Sequence, residues 1–580
     1  MPRLLAIRFP SEHNVWYPKR LMLRTPSMVA RTGLRLTTFI AVYVAVSAVM
    51  AAPLFNYPAV QSAVYGGDAR LVLWTLAWDN HAVLTRLPLF DSNIFYPAAG
   101  TLSYNEHLFG VSIFTLPVYA LTGNPVLSYN IVWLLSFPLN LACMHAWLRR
   151  HVRDDVAAAA GALVYTFSFY KMLHAYGHLH LLWTWLLPLS VVLFERWFQR
   201  PTIARALAWA LAVLLQVLTS WYLAVLLAVA YVPITAVTGG VAIRRALWRH
   251  SWQLLAGAAL VAVVVWPFAK PYAALPHTRA GEAASYSADL AAYLVPPENT
   301  WLGQVWLHHV GPGAGGRTAP RSIWGERTLY LGWTAIALGC VGAFQLLRRR
   351  EWPVFILSLS LAVIGLILSF GPSPDGRWTA FSLFAHVPGL ASFRAPARFA
   401  LLVLVGLSML VAFGVQLLRE RAGRAAPIVL VLLPCMVSEW YLVGVPGGGP
   451  MPSPVPAIYA LPAVRQAHAL VSLPDYRNET DWFNGADYLY YSTAHWRPIV
   501  NGFGRAEPPG YNHVISHMKA FPGPNNAKTM RELGVDYVVF HAGRIPDGVA
   551  IAESASRMQE YKLVAQIDSD YLFQVQPAPQ

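Results

Sequence analysis

Charge is scarce in this chain: Asp, Glu, Lys and Arg make up 12% of its 580 residues, while 56% are hydrophobic. A soluble domain carries roughly twice that share of charge, so a purely soluble protein is excluded and the bilayer is the main solvent. Acids are scarcer than bases, 28 against 43, which leaves a formal net charge of +15. The basic excess sits in short clusters between apolar runs rather than on one stripe, so positive-inside topology explains it and no nucleic-acid partner is expected. Only three cysteines are present, Cys143, Cys340 and Cys435, each inside an apolar run, which excludes a disulfide framework and a cysteine-based zinc site. The segment after residue 446 also shows neither a Gly-rich phosphate loop nor a metal motif.

Long apolar runs are what the chain has. About 20 apolar residues cross the hydrocarbon, and such runs recur from residue 32 almost to 442. The first 31 residues hold six Lys or Arg, and the following run is too long for a cleaved signal core, so an uncleaved first helix with a cytoplasmic N-terminus is expected. Five later basic clusters, at 149–153, 196–205, 244–249, 348–350 and 419–424, mark further cytoplasmic points that must be separated by even numbers of crossings. The short run 108–121, with Pro117 inside it, is kept outside as an interfacial or re-entrant segment. About eleven transmembrane helices follow: 32–52, 126–148, 156–172, 181–198, 206–219, 222–238, 252–268, 329–347, 354–370, 399–418 and 427–443.

The expected architecture is therefore an α-helical polytopic membrane protein with a C-terminal soluble α/β domain. It comprises a cytoplasmic basic N-terminus at 1–31, a multi-pass domain at 32–445 with outer loops 53–107 and 270–327, and an extracytoplasmic domain at 446–580. Within that domain, β-like runs at 469–473, 498–503, 537–541 and 563–576 alternate with helical patterns such as 525–533.

Four pieces fall on the outer side, and chemistry should collect there. Asp68 in Gly67-Asp68-Ala69-Arg70 precedes an amphipathic stretch, which places an acid at the membrane surface beside lipid headgroups; the alternative is that Asp68 caps the helix after it. Glu106 and His107 offer a second carboxylate beside an imidazole, or simply a polar helix start. Lys171, His174, His178 and His180 cluster at an outer turn, where they could bind a metal or a phosphate or serve as ordinary interfacial residues. Arg394 and Arg398 stand outside against the positive-inside trend; guanidiniums suit a lipid phosphate or diphosphate, and snorkelling to ordinary headgroups is the alternative.

Together these residues resemble the GT-C superfamily of integral-membrane glycosyltransferases, in particular its bacterial, polyprenyl-phosphate-sugar-dependent type. The resemblance covers most of the chain. It rests on Gly67-Asp68-Ala69-Arg70, Ile94-Phe95-Tyr96-Pro97, His178-Leu179-His180-Leu181, the pattern from Arg394 to Arg398, and Val500-Asn501-Gly502-Phe503. It implies an enzyme of the bacterial inner membrane with Asp68 as general base and a polyprenyl-phosphate-linked sugar as donor. The acceptor would be a glycan, lipid or protein, with membrane lipids as further partners and inversion at the sugar. Candidate catalytic residues are then Asp68 and Glu106, and candidate substrate-binding residues are Arg70, His107, Lys171, His178, His180, Arg394 and Arg398. Many relatives pair two acids in the first loop and carry an Asp in the second turn, whereas this chain has Ala69 and histidines there. No metal ligand and no cofactor is assigned, and a divalent metal stays open. Trp482, Tyr488, Tyr490 and Trp496 are available to stack on acceptor sugars. The other function class is a non-catalytic component of polysaccharide or lipid export with a partner-binding outer domain.

Overall fold

The computed structural model describes residues 41–45, 47–48, 61–62, 66–238, 241–275, 280–310, 326–373, 377–387, 393–421, 426–441, 451–452, 454–475 and 482–578. The basic segment 1–31 and most of the first expected crossing lie outside these residues.

The apolar runs form helices because a helix satisfies its own backbone in lipid. In chain order the main ones are α1 (Gly67–Thr85), α2 (Phe109–Thr122), α3 (Pro125–Leu148), α4 (Asp155–Phe167), α5 (Leu186–Gln199), α6 (Ile203–Thr219) and α7 (Trp221–Thr238). After these come α8 (Val241–Ala269), α9 (Trp333–Arg348), α10 (Trp352–Ser369), α11 (Ala400–Arg421) and α12 (Ala426–Ser438). Among the described residues, five stretches are long and apolar enough to cross a membrane: Pro125–Leu148, Leu179–Gln199, Arg249–Ala273, Trp352–Ser369 and Pro396–Arg421. The other expected crossings within the described residues are shorter helices. The expected crossing 156–172 breaks at Ser168, and 181–198 breaks between Leu182 and Leu186.

α11 is the buried axis of the bundle and packs on α4, α9 and α10. Close backbone approach makes this packing possible, as is usual between helices in lipid. A Cβ on Gly342 of α9 would collide with the Leu410 carbonyl of α11, and one on Gly406 of α11 with the Ser358 carbonyl of α10.

One end of the bundle gathers the basic clusters with their counter-charges. Arg149 pairs with Asp155 at 2.5 Å, Arg419 with Asp154 at 2.7 Å, Arg150 with Glu195, and Arg349 with Glu420. Clusters far apart in sequence thus converge on one face, and the histidine turn 174–180 lies at the far end of the helices that carry them.

After residue 450 the chain forms a four-stranded sheet of β1 (Leu470–Leu473), β2 (Tyr537–His541), β3 (Tyr561–Ile567) and β4 (Asp570–Val575), in the order β1-β2-β4-β3. β1 and β2 are parallel and the other pairs antiparallel. Helices α13 (Trp482–Ser492) and α14 (Pro524–Glu532) lie between the strands in sequence. The run 498–503 is not a strand; it makes a single bridge, Ile499 to Leu470.

That segment instead joins this unit to the first outer loop. The Phe95 and Tyr96 N–H groups donate to the Asn501 and Ile499 carbonyls, both at 3.0 Å, and the Ile499 N–H donates to the Asn93 carbonyl at 2.7 Å. Outer loop and C-terminal unit therefore share one folded body, because the backbone polar groups of the loop find their partners 400 residues further along the chain.

Candidate active site

Asp68 lies in the first turn of α1, whose N-cap is Gly66 in a positive-φ conformation (103°) with no side-chain cap. Asp68 therefore does not cap the helix. Its carboxylate sits where the helix dipole favours negative charge, its side chain is 58% exposed, and its Oδ2 is 3.3 Å from His178 Nε2. Burial of its surroundings raises its pKa, but the hydrogen bond from His178 and the nearby His178, Arg394 and Arg398 charges more than offset this and hold it below the usual carboxylate value.

His178 continues the cluster inward. Its Nδ1 is 3.2 Å from His174 Nδ1, and His174 Nε2 is 3.8 Å from Glu326 Oε2. Burial pushes the His174 imidazole down to about 3, so it is neutral at ordinary pH. Glu326 grips Arg398 through Oε1, 2.6 Å from a terminal guanidinium nitrogen and 3.2 Å from Nε. Burial raises the Glu326 carboxyl, yet the charge and hydrogen bonds of Arg398 together with His174 and His178 outweigh it and hold the group well below the usual range. The Arg398 guanidinium also lies 4.2 Å from the centre of the Tyr222 ring.

The second carboxylate, Glu106, does not start a helix either. α2 begins at Phe109 with Leu108 as N-cap, and Glu106 accepts from Ser220 Oγ at 2.9 and 3.0 Å and from the Trp221 N–H at 3.2 Å. His180 Nε2 lies 3.5 Å from its Oε2. Burial raises the Glu106 carboxyl against the lowering effect of Arg398 and Ser220. The site thus holds two carboxylate–imidazole pairs of opposite tendency: the exposed Asp68 carboxyl is lowered and the half-buried Glu106 carboxyl is raised. Both are held by the segment 178–180, where the helix between α4 and α5 is broken.

The break explains Lys171. Its ammonium is fully buried and donates to the Leu181 and Leu182 carbonyls at 3.3 Å and to Thr184 Oγ1, which satisfies backbone left open by the interrupted helix. Arg394 reaches the rim of the cluster, with one terminal nitrogen 3.1 Å from Glu282 and the guanidinium 5.2 Å from the Tyr286 ring centre. His107 is 1% exposed, accepts from the Phe109 N–H at 3.1 Å, and is packed among Phe90, Trp221, Phe268 and Tyr272. Arg70 points to the C-terminal unit, where it is ion-paired with Asp487.

The structure therefore brings together Asp68, Glu106, His178, His180 and Arg398, with Arg394 at the rim, and gives Arg70, His107 and Lys171 protein partners of their own. Glu326, Glu282, Ser220 and Tyr222 complete the cluster unannounced by any motif; Glu326 and Glu282 were detectable only as two of the four acids of the loop 270–327, otherwise rich in Gly and Pro. Among the described residues no three His, Cys, Asp or Glu side chains are arranged to hold a metal ion. Tyr488 and Tyr490 are buried and Trp496 stacks on His81 with ring centres 4.4 Å apart, so these rings serve packing; the Trp482 side chain lies outside the described residues.

Residues 37–437 match a family model described as Domain of unknown function (DUF6311). No curated protein matches the chain. Among solved structures, the chain is similar to the archaeal oligosaccharyltransferase AglB from Archaeoglobus fulgidus in complex with an inhibitory peptide and a dolichol-phosphate. The identity is 13% and the TM-score 0.48, over 90% of this chain and 71% of that one. It is also similar to ArnT from Cupriavidus metallidurans, in the apo state (15% identity, TM-score 0.40, 94% of this chain and 98% of that one) and bound to undecaprenyl phosphate (13%, 0.38, 94% and 100%). At these scores the superpositions carry no residue-by-residue correspondence.

Proposed function

We propose that this chain, which belongs to the DUF6311 family, is a membrane glycosyltransferase that moves a sugar from a polyprenyl-phosphate donor to an extracytoplasmic acceptor. The observation that carries the reading is Asp68: an exposed, ionised carboxylate in a helix's first turn, oriented by His178, with Arg394 and Arg398 close enough to act on its charge. A base of that kind takes the proton of an acceptor hydroxyl while the hydroxyl oxygen attacks the anomeric carbon. The bond from that carbon to the phosphate oxygen breaks, its electrons leave with the polyprenyl phosphate, and the sugar is inverted. The developing phosphate charge meets the guanidiniums of Arg394 and Arg398, each of which has more N–H donors than one carboxylate can take up. Glu106, half-buried and accepting from Ser220 and the Trp221 N–H, holds the segment 178–180 through its contact with His180.

The basic clusters at the opposite end of the bundle support a cytoplasmic face there and an outer face at the cluster, as in a bacterial inner membrane. The acceptor is a glycan, lipid or protein that approaches from that outer side. The test is transfer of labelled sugar from polyprenyl-phosphate donors by the purified, lipid-reconstituted protein. Asp68→Asn should abolish transfer while leaving insertion and donor binding intact. Undiminished transfer by the variant would remove Asp68 as base. Absence of transfer by folded wild type across a broad donor panel would favour a non-catalytic export component.

A further inference from the structure

We infer that Asp487 of the C-terminal unit is a positioning residue for Asp68, acting through Arg70. This rests on the reading of Asp68 as the base. Arg70 and Asp68 share the first turn of α1, two residues apart, so at 3.6 residues per turn they leave the helix about 200° apart on opposite faces. One face presents Asp68 to His178, and the other delivers the Arg70 guanidinium to Asp487 Oδ1. The pair is enclosed, with side chains 14% and 18% exposed.

Asp487 is itself fixed. Its Oδ2 accepts from Arg544 at 2.9 Å, and the Arg544 guanidinium lies over Tyr488 and donates to the Tyr491 hydroxyl at 3.1 Å. α1 has no side-chain N-cap, so its opening turn is not locked by its own sequence. The Asp68–His178 contact on one face and the Arg70–Asp487 ion pair on the other set its rotation about the helix axis.

The consequence is geometric. A carboxylate lies roughly 5–6 Å from the helix axis, so a rotation of about 10° displaces it by about 1 Å. A displacement of about 1 Å in a reacting group costs roughly 100-fold in rate. The C-terminal unit is therefore part of the catalytic machinery, the outer half of the clamp that aims the base, and not an appended module.

The test uses the full chain in lipid nanodiscs, comparing wild type, Asp487→Asn, Asp487→Glu, Arg70→Lys and the control Glu553→Gln, which breaks an exposed ion pair in the same unit. Amide hydrogen exchange over the first two turns of α1 is read without substrate, and sugar transfer is read separately as kcat and KM. Asp487→Asn should speed exchange there and lower kcat roughly 100-fold, with the donor KM little changed. Asp487→Glu should recover most of both, Arg70→Lys should fall between, and Glu553→Gln should change neither. Unchanged exchange and kcat in Asp487→Asn would overturn the inference. So would a raised donor KM at constant kcat, which would make the pair part of the substrate site. Faster exchange in a protein whose wild type transfers no sugar would uphold the anchoring and overturn only the reading of Asp68 as a base.

Discussion

Replacing Glu326 by leucine removes the partner of a guanidinium that is only 3% exposed, Glu326 itself being 11% exposed. Breaking a buried ion pair from one side leaves an uncompensated charge and costs about 3–5 kcal/mol. With an unfolding entropy of roughly 2.1 cal/mol/K per residue, a chain of 580 residues should lose about 2.5–4 °C of thermal midpoint for that cost. The double variant Glu326→Leu/Arg398→Met removes both charges and should recover most of the loss, since a buried pair and an apolar replacement are often near equal in stability. The assay is thermal unfolding of detergent-purified protein at a fixed scan rate. Because Arg398, His174 and His178 together hold the Glu326 carboxyl below its ordinary value against the upward push of burial, the sign is that of a depressed acid. Its contribution is complete above the unfolded pKa of about 4.3 and is lost only as pH falls below it. The gap between wild type and Glu326→Leu should therefore be constant from about pH 5 to 8 and shrink in stronger acid. A single-variant shift below about 1 °C would refute the reasoning, because that is the behaviour of an exposed pair worth 0–1 kcal/mol.

Two further outcomes are expected. Burial pushes His107 down to about 3, so it folds neutral and its contribution is full above the unfolded value of about 6.5 and is lost as pH falls toward 3. Stability should drop by on the order of 1 kcal/mol per pH unit in that window, and His107→Phe, which suits the surrounding aromatic rings, should make the midpoint flatter between pH 7 and 5; an unchanged slope would show that His107 is not the titrating group. Gly342→Val should cost at least about 1–3 kcal/mol by driving a side chain into the α11 backbone, seen as loss of the monodisperse species in detergent, and a normal yield would refute the close packing.

Some of the fold was legible because it depends on neighbours in sequence. Tyr537–His541, Pro524–Glu532 and the α3, α10 and α11 helices stand where apolar pattern and turn residues put them, since periodicity is a local property. The same patterns overran breaks: nothing apolar distinguishes Ser168 or Thr184 from their surroundings, and the interruption there is stabilised by Lys171, a residue that local reading assigns to substrate. The run 498–503 has strand character, but its backbone partners lie in a loop 400 residues earlier, so pattern alone suggested a sheet position it does not take.

The site divides in the same way. Asp68, Glu106, the histidines and the two outer arginines were visible as polar groups at the ends of apolar runs, where charge needs a reason, and their types already pointed to acid–base and phosphate chemistry. Which of them meet was not visible. Arg70 finds Asp487 across 417 residues and Arg398 finds Glu326 across 72, and no spacing rule links either pair. The sequence by itself determined the solvent, the position of most helices and part of the set of groups available for chemistry, because transfer into lipid and helical periodicity act over one or two turns. Only the tertiary structure decided the partners, because an ion pair depends on distance in space, and that distance is set by how separate helices pack.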